Sequence, residues 1–318
     1  LIATSFSDSP VAFGQLPLFE IHSLKTRPNG EKPACKIVIT EVEDQNADGA
    51  VDLADVERLL KNGNNALTLL EGDGDFRSAE CLELLQEADI VVTNPPFSLF
   101  REYVAQLVEH DKKFIIIGNT NALTYKEIFK LFKEDKIRTG YTNFNVGMHF
   151  FVPDNWKEYH RIEDGRKVVR VSTSCWFTNM EVQKHKEFIT LYKKYSPEAY
   201  PSYDNYDAIN VDKVAEIPFD YDGAMGVPIT FLDKYNPDQF EVIALGIVGS
   251  IDFSCEKKME ILSKGQSTGR YTVNAKGTLY RKYNPKLDRK PPAFKDAVTG
   301  ELYSSIYARI IIRRKGTT

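Results

Sequence analysis

The sequence predicts an α/β protein with a mostly parallel β-sheet, followed by a region of a different character. Short apolar runs typical of buried parallel strands alternate with amphipathic helical segments up to about Val182. Beyond that point Tyr and Pro become frequent, the strand-like runs are short and helical segments are few. We therefore expect an α/β domain over residues 1–182 and an α+β region over residues 183–318.

The first half of the α/β domain combines strand patterns with helical patterns, one of which ends at a glycine. Period-two alternation predicts the second strand of an irregular hairpin, and a helix that follows it stops near Gly63. The predicted elements are a strand at Leu1–Phe6, the hairpin over 18–42, a helix at Asp52–Leu60, a strand at Ala66–Leu70 and a helix at Ser78–Gln86.

The second half begins with the short apolar strand Asp89–Thr93. A helix follows from Ser98 to His110, because Phe100, Tyr103, Val104, Leu107 and Val108 fall on one face at 3.6-residue spacing. Phe114–Gly118 has the pattern of another buried strand. Thr124 with Glu127 forms a capping-box pattern that predicts a helix start. Two further strands are expected near Val146–Val152 and Val169–Asn179.

Composition excludes several classes of protein. The chain has 318 residues, of which 42% are hydrophobic and 27% charged, and this balance is ordinary for a globular protein. No apolar run approaches the roughly 18 residues that would span a bilayer, and no signal-peptide pattern opens the sequence. The four cysteines form no CxxC pair, so we expect free thiols, no structural zinc and a cytoplasmic location.

Charge is distributed unevenly along the chain. Residues 257–318 contain 15 basic and 4 acidic residues, whereas residues 1–256 contain 26 basic and 41 acidic ones. A basic segment on an acidic body indicates a polyanionic partner, although a solvated basic tail would give the same count. Basic residues interleaved with Tyr and Gly suit a surface that follows a phosphate backbone. The expected DNA contacts are Lys257, Lys258, Arg270, Arg281, Lys282 and Lys286.

The tetrapeptide Asn94-Pro95-Pro96-Phe97 follows the Asp89–Thr93 strand directly and precedes a helix. Ligands of open α/β sheets bind at the carboxyl ends of strands. The Asn94 side-chain oxygen and the Pro95 carbonyl can accept hydrogen bonds from the two hydrogens of an aromatic amino group, which makes its nitrogen a better nucleophile. Phe97 offers a flat face for a base. A plain proline turn is the alternative, and the position after a buried strand disfavours it.

A second polar loop, residues 71–77, follows the Ala66–Leu70 strand. Its glycines permit close backbone approach, and an acid at the strand end can accept a hydrogen bond from the adenine amino group of a nucleoside cofactor. Asp73, Asp75 and Phe76 are the candidate cofactor residues, with Asp75 as the acceptor. An acidic surface turn remains the alternative.

The stretch Asp44–Asp55 fits the EF-hand calcium loop, with Asp in place of the final Glu. A strand pattern precedes it rather than a helix, and the shorter acid is less suited to bidentate binding. We therefore favour a capped turn that leads into the 52–60 helix, and we expect no metal at the active site.

Residues 72–129, 200–213 and 220–243 resemble the EcoRI-type family of adenine-specific DNA methyltransferases, and the likeness covers most of residues 66–243. The resemblance implies a class I methyltransferase fold, S-adenosyl-L-methionine as methyl donor and double-stranded DNA as substrate. It also implies that Asn94, Pro95, Pro96 and Phe97 form the catalytic motif and that Asp75 and Phe76 belong to the cofactor pocket. The region after Val182 would then recognise the target, with GAATTC as a reasonable guess at the site.

One feature departs from that family pattern. The class carries, before the strand that matches Leu1–Phe6, a first strand with a glycine- or acid-rich turn that holds the methionine end of the cofactor, and an upstream helix that closes this pocket. Neither is found in this sequence, so we expect either an N-terminal piece beyond the sequence or a truncated product.

The expected function is transfer of a methyl group to the exocyclic N6 of adenine in duplex DNA, by base flipping and direct transfer, in a monomeric enzyme of restriction-modification or DNA protection. A methyltransferase for RNA or for a protein glutamine is the nearest alternative. A DNA-binding remnant without activity is the alternative from another class. The basic C-terminal end favours DNA as the substrate.

Overall fold

The computed structural model describes residues 1–7, 34–44, 49, 55, 66–141, 144, 146–246, 257–273 and 278–316. The chain divides into two compact units. The first comprises Leu1–Val91 with His110–Lys112, and the second comprises Val92–Glu109 with Lys113–Thr318. No helix of the described part of the chain is both long and apolar enough to span a bilayer.

The first unit contains a three-stranded antiparallel sheet of β1 (Ile2–Thr4), β2 (Cys35–Val38) and β3 (Ala66–Leu69), in that order. Helix α1 (Ala79–Glu87) follows, and the Ser78 side chain caps it by accepting a hydrogen bond from the Cys81 N–H at 3.3 Å. The predicted strands and the predicted 78–86 helix are confirmed within a few residues. The first hairpin strand and most of the 52–60 helix lie outside the described residues.

A four-stranded sheet has the order β4 (Ile90–Thr93), β5 (Lys113–Asn119), β10 (Ser174–Thr178) and β6 (Arg138–Thr139). Strand β10 is antiparallel to both β5 and β6. Strand β4 was expected to be buried, but Ile90 and Val92 are 50% and 66% exposed. An apolar run shows that a strand is suited to a core without showing how much of that strand its neighbours cover.

The second unit contains the helices α2 (Phe100–Glu109) and α3 (Lys126–Lys133). The predicted apolar face of α2 is confirmed, because Phe100, Val104 and Leu107 are buried. The predicted capping box of α3 is wrong. The cap position is Tyr125, and the Thr124 hydroxyl instead donates to the carbonyl of Asn121 at 2.7 Å, within a 3₁₀ turn over Thr120–Thr124.

Residues 146–173, which connect β6 to β10, form a separate three-stranded antiparallel sheet that we call the arm. Its strands are β7 (Met148–Val152), β8 (Arg161–Glu163) and β9 (Arg166–Val171), in the order β7-β9-β8. The single strand predicted over 169–179 is therefore two strands, β9 and β10, which belong to different sheets. The β8–β9 turn is made by Asp164 and Gly165, both with positive φ.

The C-terminal region is built from two further sheets. The first has the order β11 (Ile209–Asn210), β12 (Met225–Pro228), β19 (Arg309–Arg314) and β13 (Phe240–Gly246), and only its β11–β12 pair is parallel. Ile310, Ile311 and Ile312 are completely buried. This apolar run is therefore part of an interior strand of the sheet, between β12 and β13.

The second of these sheets has five antiparallel strands in the order β15 (Gln266–Thr272), β14 (Met259–Ser263), β17 (Phe294–Asp296), β18 (Leu302–Ile306) and β16 (Leu279–Lys282). Met259, Tyr280, Phe294 and Tyr303 form its core.

The chain is thus a mixed α/β protein with several sheets. Among the described residues, most strand pairs whose register is defined are antiparallel. This differs from the mostly parallel sheet that the sequence predicts. Apolar runs identify strands, whereas strand direction depends on long-range pairing that such runs do not encode.

Candidate functional site

The Asn94-Pro95-Pro96-Phe97 loop lies between β4 and α2. Asn94 is exposed and Pro95 is buried. Pro96 has φ −56° and ψ 125°, and its carbonyl accepts a hydrogen bond from the Leu99 N–H at 2.9 Å, which closes a 3₁₀ turn over Phe97–Leu99. The Phe97 ring is 40% exposed. One buried proline therefore anchors a loop that presents an amide and an aromatic face to solvent.

Phe100 fixes this loop to the carboxyl end of β5. A Cβ placed on Gly118, the penultimate residue of β5, would lie 2.5 Å from the Phe100 ring and 2.8 Å from the Phe177 ring, so both rings pack directly on the glycine. The centroids of the two rings are 5.0 Å apart. Because Phe100 follows directly on the Phe97–Leu99 turn, the loop lies near the strand end where open α/β sheets bind ligands.

The candidate cofactor loop belongs to the first unit. Gly74 has φ +79°, and a Cβ there would collide with the backbone oxygen of Ser5. The Ser7 N–H donates to the Asp73 carbonyl at 2.8 Å, and the Asp73 side chain accepts from the Asp75 N–H at 2.9 Å. The loop is therefore held against the chain that follows β1, and glycine is required at position 74.

Asp75 is engaged by Arg77. The Arg77 Nε and Nη2 donate to the two carboxylate oxygens at 2.9 and 2.7 Å, and the Arg77 backbone N–H adds a third hydrogen bond at 2.8 Å. These hydrogen bonds hold the pKa of Asp75 below its usual range. The Arg77 guanidinium also lies 5.2 Å from the centroid of the Phe76 ring. Asp75 is consequently an ionised acceptor with a fixed orientation, and its side chain is 25% exposed.

The EF-hand-like stretch lies mostly outside the described residues. Of its acids, Asp44 accepts a hydrogen bond from the Gly49 N–H at 2.8 Å, and Asp55 is buried in a helical conformation. The described ranges contain no cluster of His, Cys, Asp and Glu suited to a metal ion. Cys35, Cys81 and Cys175 are free thiols.

The basic residues proposed for DNA contact fall into two groups. Lys257, Lys258, Arg270, Lys282 and Lys286 are exposed. Arg281 is not, because its side chain is 7% exposed and is paired with Asp288, whose side chain is 9% exposed, at 2.7 Å. Asp288 also accepts hydrogen bonds from the Asn284 N–H and the Ser304 hydroxyl, both at 2.8 Å. The prediction that Arg281 follows a phosphate backbone is corrected: this guanidinium is committed to a structural ion pair.

The structure brings Lys257 and Lys282 into one hydrogen-bonded network. Lys257 donates to the Tyr303 hydroxyl at 3.2 Å, that hydroxyl donates to Glu301 at 2.9 Å, and Lys282 donates to Glu301 at 2.7 Å. Lys258 lies separately, with its ammonium 4.9 Å from the centroid of the Tyr271 ring. Two lysines of the basic end therefore share one surface.

Sequence reasoning predicted β7 and, as part of one longer strand, the end of β9, but it missed β8 and the arginines of the arm, Arg161, Arg166 and Arg170. The dipeptide Asp164-Gly165 between short runs of charged and β-branched residues is a hairpin signal that could have identified β8. The charge asymmetry of the chain indicates residues 257–318 instead.

The family model described as "Adenine-specific methyltransferase EcoRI" matches residues 1–315. The chain belongs to this family. It is 52% identical to the Type II methyltransferase M.EcoRI of Escherichia coli over 178 residues, which cover 54% of this chain and 55% of that protein.

Two mycoplasma proteins are also similar. M.MpnI of Mycoplasma pneumoniae is 45% identical over 182 residues, which cover 55% of this chain and 57% of the relative. M.MgeORF184P of Mycoplasma genitalium is 39% identical over 201 residues, which cover 60% and 63%. Each similarity thus spans less than two thirds of the relative's length. No solved structure matches the chain.

Proposed function

We propose that the protein transfers a methyl group from S-adenosyl-L-methionine to the N6 amino group of adenine in double-stranded DNA. The observation that carries this proposal is the Asn94–Phe97 loop, which holds an exposed amide and an exposed aromatic ring on a buried proline in a chain of the adenine-specific methyltransferase family. The names of the relatives, all Type II methyltransferases, support a role in restriction-modification.

Asn94 and Pro95 act on the amino group of the target base. The adenine amino nitrogen is a weak nucleophile because its lone pair is delocalised into the ring. The Asn94 side-chain oxygen and the Pro95 carbonyl accept its two hydrogens, which favours a tetrahedral nitrogen with a localised lone pair. Burial of Pro95 and the fixed φ of both prolines place these acceptors before the substrate arrives, so little reorganisation is needed during the reaction.

Phe97 holds the base outside the double helix. A base inside a duplex cannot present its amino group to an enzyme, so it must swing out, and it then loses the stacking of its neighbours. The exposed ring of Phe97 replaces part of that stacking, which is worth about 1–3 kcal/mol per base.

The first unit supplies groups suited to the nucleoside part of the cofactor. Asp75 stays ionised at neutral pH and a carboxylate has about four acceptor positions, so it can accept the adenine amino group of S-adenosyl-L-methionine while it is paired with Arg77. Asp73 orients Asp75 through the Asp75 N–H, and Phe76 provides an apolar neighbour. When bound, the cofactor supplies an electrophilic methyl group on a sulfonium.

We further propose a class I methyltransferase arrangement for residues 1–182 and a target-recognition region for residues 183–318. The exposed Lys257, Lys258, Arg270, Lys282 and Lys286 then contact phosphates, whereas Arg281 stabilises the fold. Contacts of this kind position the enzyme on the duplex without reading its sequence.

The test measures methyl transfer from labelled cofactor to duplex DNA, followed by digestion to nucleosides. We expect N6-methyladenine from the parent protein and a loss of about 10²–10³ in rate for Asn94→Ala, because a hydrogen bond made in the transition state is removed. Phe97→Ala should weaken capture of the flipped base. With 2-aminopurine at the target position, the parent protein should raise its fluorescence more than this variant does.

Gln86→Ala and Phe219→Ala are matched controls, because each removes an exposed amide or ring elsewhere on the chain. Both should retain the parent rate. Transfer to an RNA or to a protein glutamine instead would overturn the substrate assignment. DNA binding with no transfer would support a binding function in its place.

A further inference from the structure

The register of the arm places three arginines on one of its faces. Residues directly opposite each other in an antiparallel pair share a face, as do alternate residues of one strand. Val168 of β9 lies opposite both Phe151 of β7 and Arg161 of β8. Arg166 and Arg170 flank Val168 at two-residue intervals, so they lie on the face that carries Arg161.

Each arginine is oriented by its neighbours. The Arg166 guanidinium lies 3.8 Å from the centroid of the Phe151 ring, and it has no carboxylate partner among the described residues. Arg161 Nε and Nη2 donate to Glu163 at 2.8 and 2.6 Å, and Arg170 Nε donates to the Val146 carbonyl at 2.6 Å. Stacking uses the flat side of a guanidinium, which leaves its in-plane N–H groups able to bind an anion.

This face is cationic, whereas the opposite face is apolar except for Lys167 of β9, which lies opposite Val152 and Ile162. The three arginines outnumber the one acid, Glu163, that shares their face. Desolvation lowers the pKa of His149, and the neighbouring Arg161, His160 and Arg170 lower it further. On the other face, Phe150 and Ile162 are 40% and 59% exposed. The charge of the arginine face therefore matches an anionic partner.

The arm joins the four-stranded sheet of β4, β5, β10 and β6 close to the Asn94–Phe97 loop, which we propose to be catalytic. It does so at Ser174, which pairs with Asn119 at the carboxyl end of β5, and the Thr120 N–H donates to the Thr173 carbonyl at 2.8 Å. Phe100, which directly follows the 3₁₀ turn of the catalytic loop, packs on the neighbouring Gly118. Double-stranded DNA that presents a flipped nucleotide to Asn94 must therefore pass close to the point where the arm joins this sheet.

We propose that the arginine face of the arm, formed by Arg161, Arg166 and Arg170, binds the phosphate backbone of the duplex that is being methylated. This inference rests on the proposed function and adds a second DNA-contacting surface, remote in sequence from the basic C-terminal end. Arginine suits such a surface because its planar donors match the geometry of a phosphate. The arginines hold the duplex at the sheet edge without selecting its sequence.

The test compares Arg166→Gln/Arg170→Gln with the parent protein in binding to a duplex across a range of salt concentrations. The control is Lys126→Gln/Lys130→Gln, which makes the same charge change on the exposed side of α3. The slope of log affinity against log salt should fall by up to about 0.9 for each phosphate that the variant no longer neutralises. The control should keep the parent slope, and Arg166→Lys should keep most of it.

Binding is measured to a target duplex and to a scrambled one, and methyl transfer by the parent protein is measured in parallel. The arginine variant should weaken binding to both duplexes by the same factor. A parent protein that methylates adenine, together with an arginine variant whose slope is unchanged, overturns the arm inference and leaves the proposed function intact. A parent protein that binds duplex DNA but transfers no methyl group, with a reduced slope in the variant, overturns the proposed activity and supports the arm as a DNA contact. A parent protein that binds no duplex overturns both.

Discussion

Gly118→Ala tests whether the Asn94–Phe97 loop, which we propose to be catalytic, depends on the packing beneath it. The added Cβ would lie 2.5 and 2.7 Å from two atoms of the Phe100 ring and 2.8 Å from the Phe177 ring. Ordinary carbon contacts need about 3.5–4.0 Å, so the rings must shift by about 1 Å. Both rings are at most 1% exposed and have little space to move. Overpacking of this kind costs about 1–3 kcal/mol of folding stability.

The same shift moves the start of α2 and with it the Asn94–Phe97 loop. A misplacement of about 1 Å in a reacting group can cost on the order of 10² in rate. We therefore expect Gly118→Ala to lose stability in urea unfolding and to lose methyl transfer by a larger factor than DNA affinity. Gly316→Ala is the control, because a Cβ there meets no atom within 4 Å.

A double variant decides whether the ring contact is the cause. Phe100→Leu removes the ring atoms that the new Cβ would strike, so Gly118→Ala should cost less in that background than in the parent protein. If the two stability losses simply add, the clash with Phe100 does not explain the effect. If Gly118→Ala leaves both stability and transfer rate unchanged, the loop does not depend on this packing at all.

Two further predictions concern ion pairs. Arg281→Ala should destabilise the fold by about 3–5 kcal/mol in urea unfolding, because it leaves Asp288 buried without its partner. The control, Lys286→Ala, should change the free energy of unfolding by less than about 0.5 kcal/mol. Equal effects of the two substitutions would show that Arg281 is not structural. Arg77→Gln should cost at most about 1 kcal/mol, since Arg77 is half exposed. This loss of folding stability should be present above pH 3.8 and shrink as the pH falls through the lowered pKa of Asp75, because protonation removes the hydrogen-bonded carboxylate in the parent protein. A loss that grows toward acid pH would contradict the pairing of Asp75 with Arg77.

Local patterns predicted the elements that depend on local physics. The 3.6-residue spacing of Phe100, Val104 and Leu107 identified the buried face of α2, because that spacing alone places side chains on one side of a helix. Ser78 stands at the helix start where the pattern placed it, and its hydroxyl makes the capping bond. The apolar run Phe114–Gly118 had the pattern of a buried strand, and Phe114 and Ile116 are completely buried in β5.

Other features depend on partners distant in the chain or on backbone angles that residue types do not specify. Thr124 has the residue type of a cap, but its hydroxyl donates to the Asn121 carbonyl, and Tyr125 is the N-cap of α3 instead. Arg281 has the charge of a phosphate contact, and only the fold shows that Asp288 buries it. Counting charged residues in the sequence predicts the sign of the charge on a surface when those residues are exposed. The prediction fails where one of them forms a buried ion pair.

The Asn94–Phe97 loop shows why a motif of four residues needs the rest of the unit to act. Its prolines fix the backbone locally, but they do not determine where the loop lies. That position comes from Phe100 on Gly118, and hence from the missing side chain of a glycine 24 residues beyond Asn94. The same end of β5 receives the returning arm through Thr173 and Thr120. A shift at this strand end would therefore move the proposed catalytic groups and the proposed phosphate-binding arginines together, which is why Gly118→Ala should impair transfer more than a loss of stability alone would.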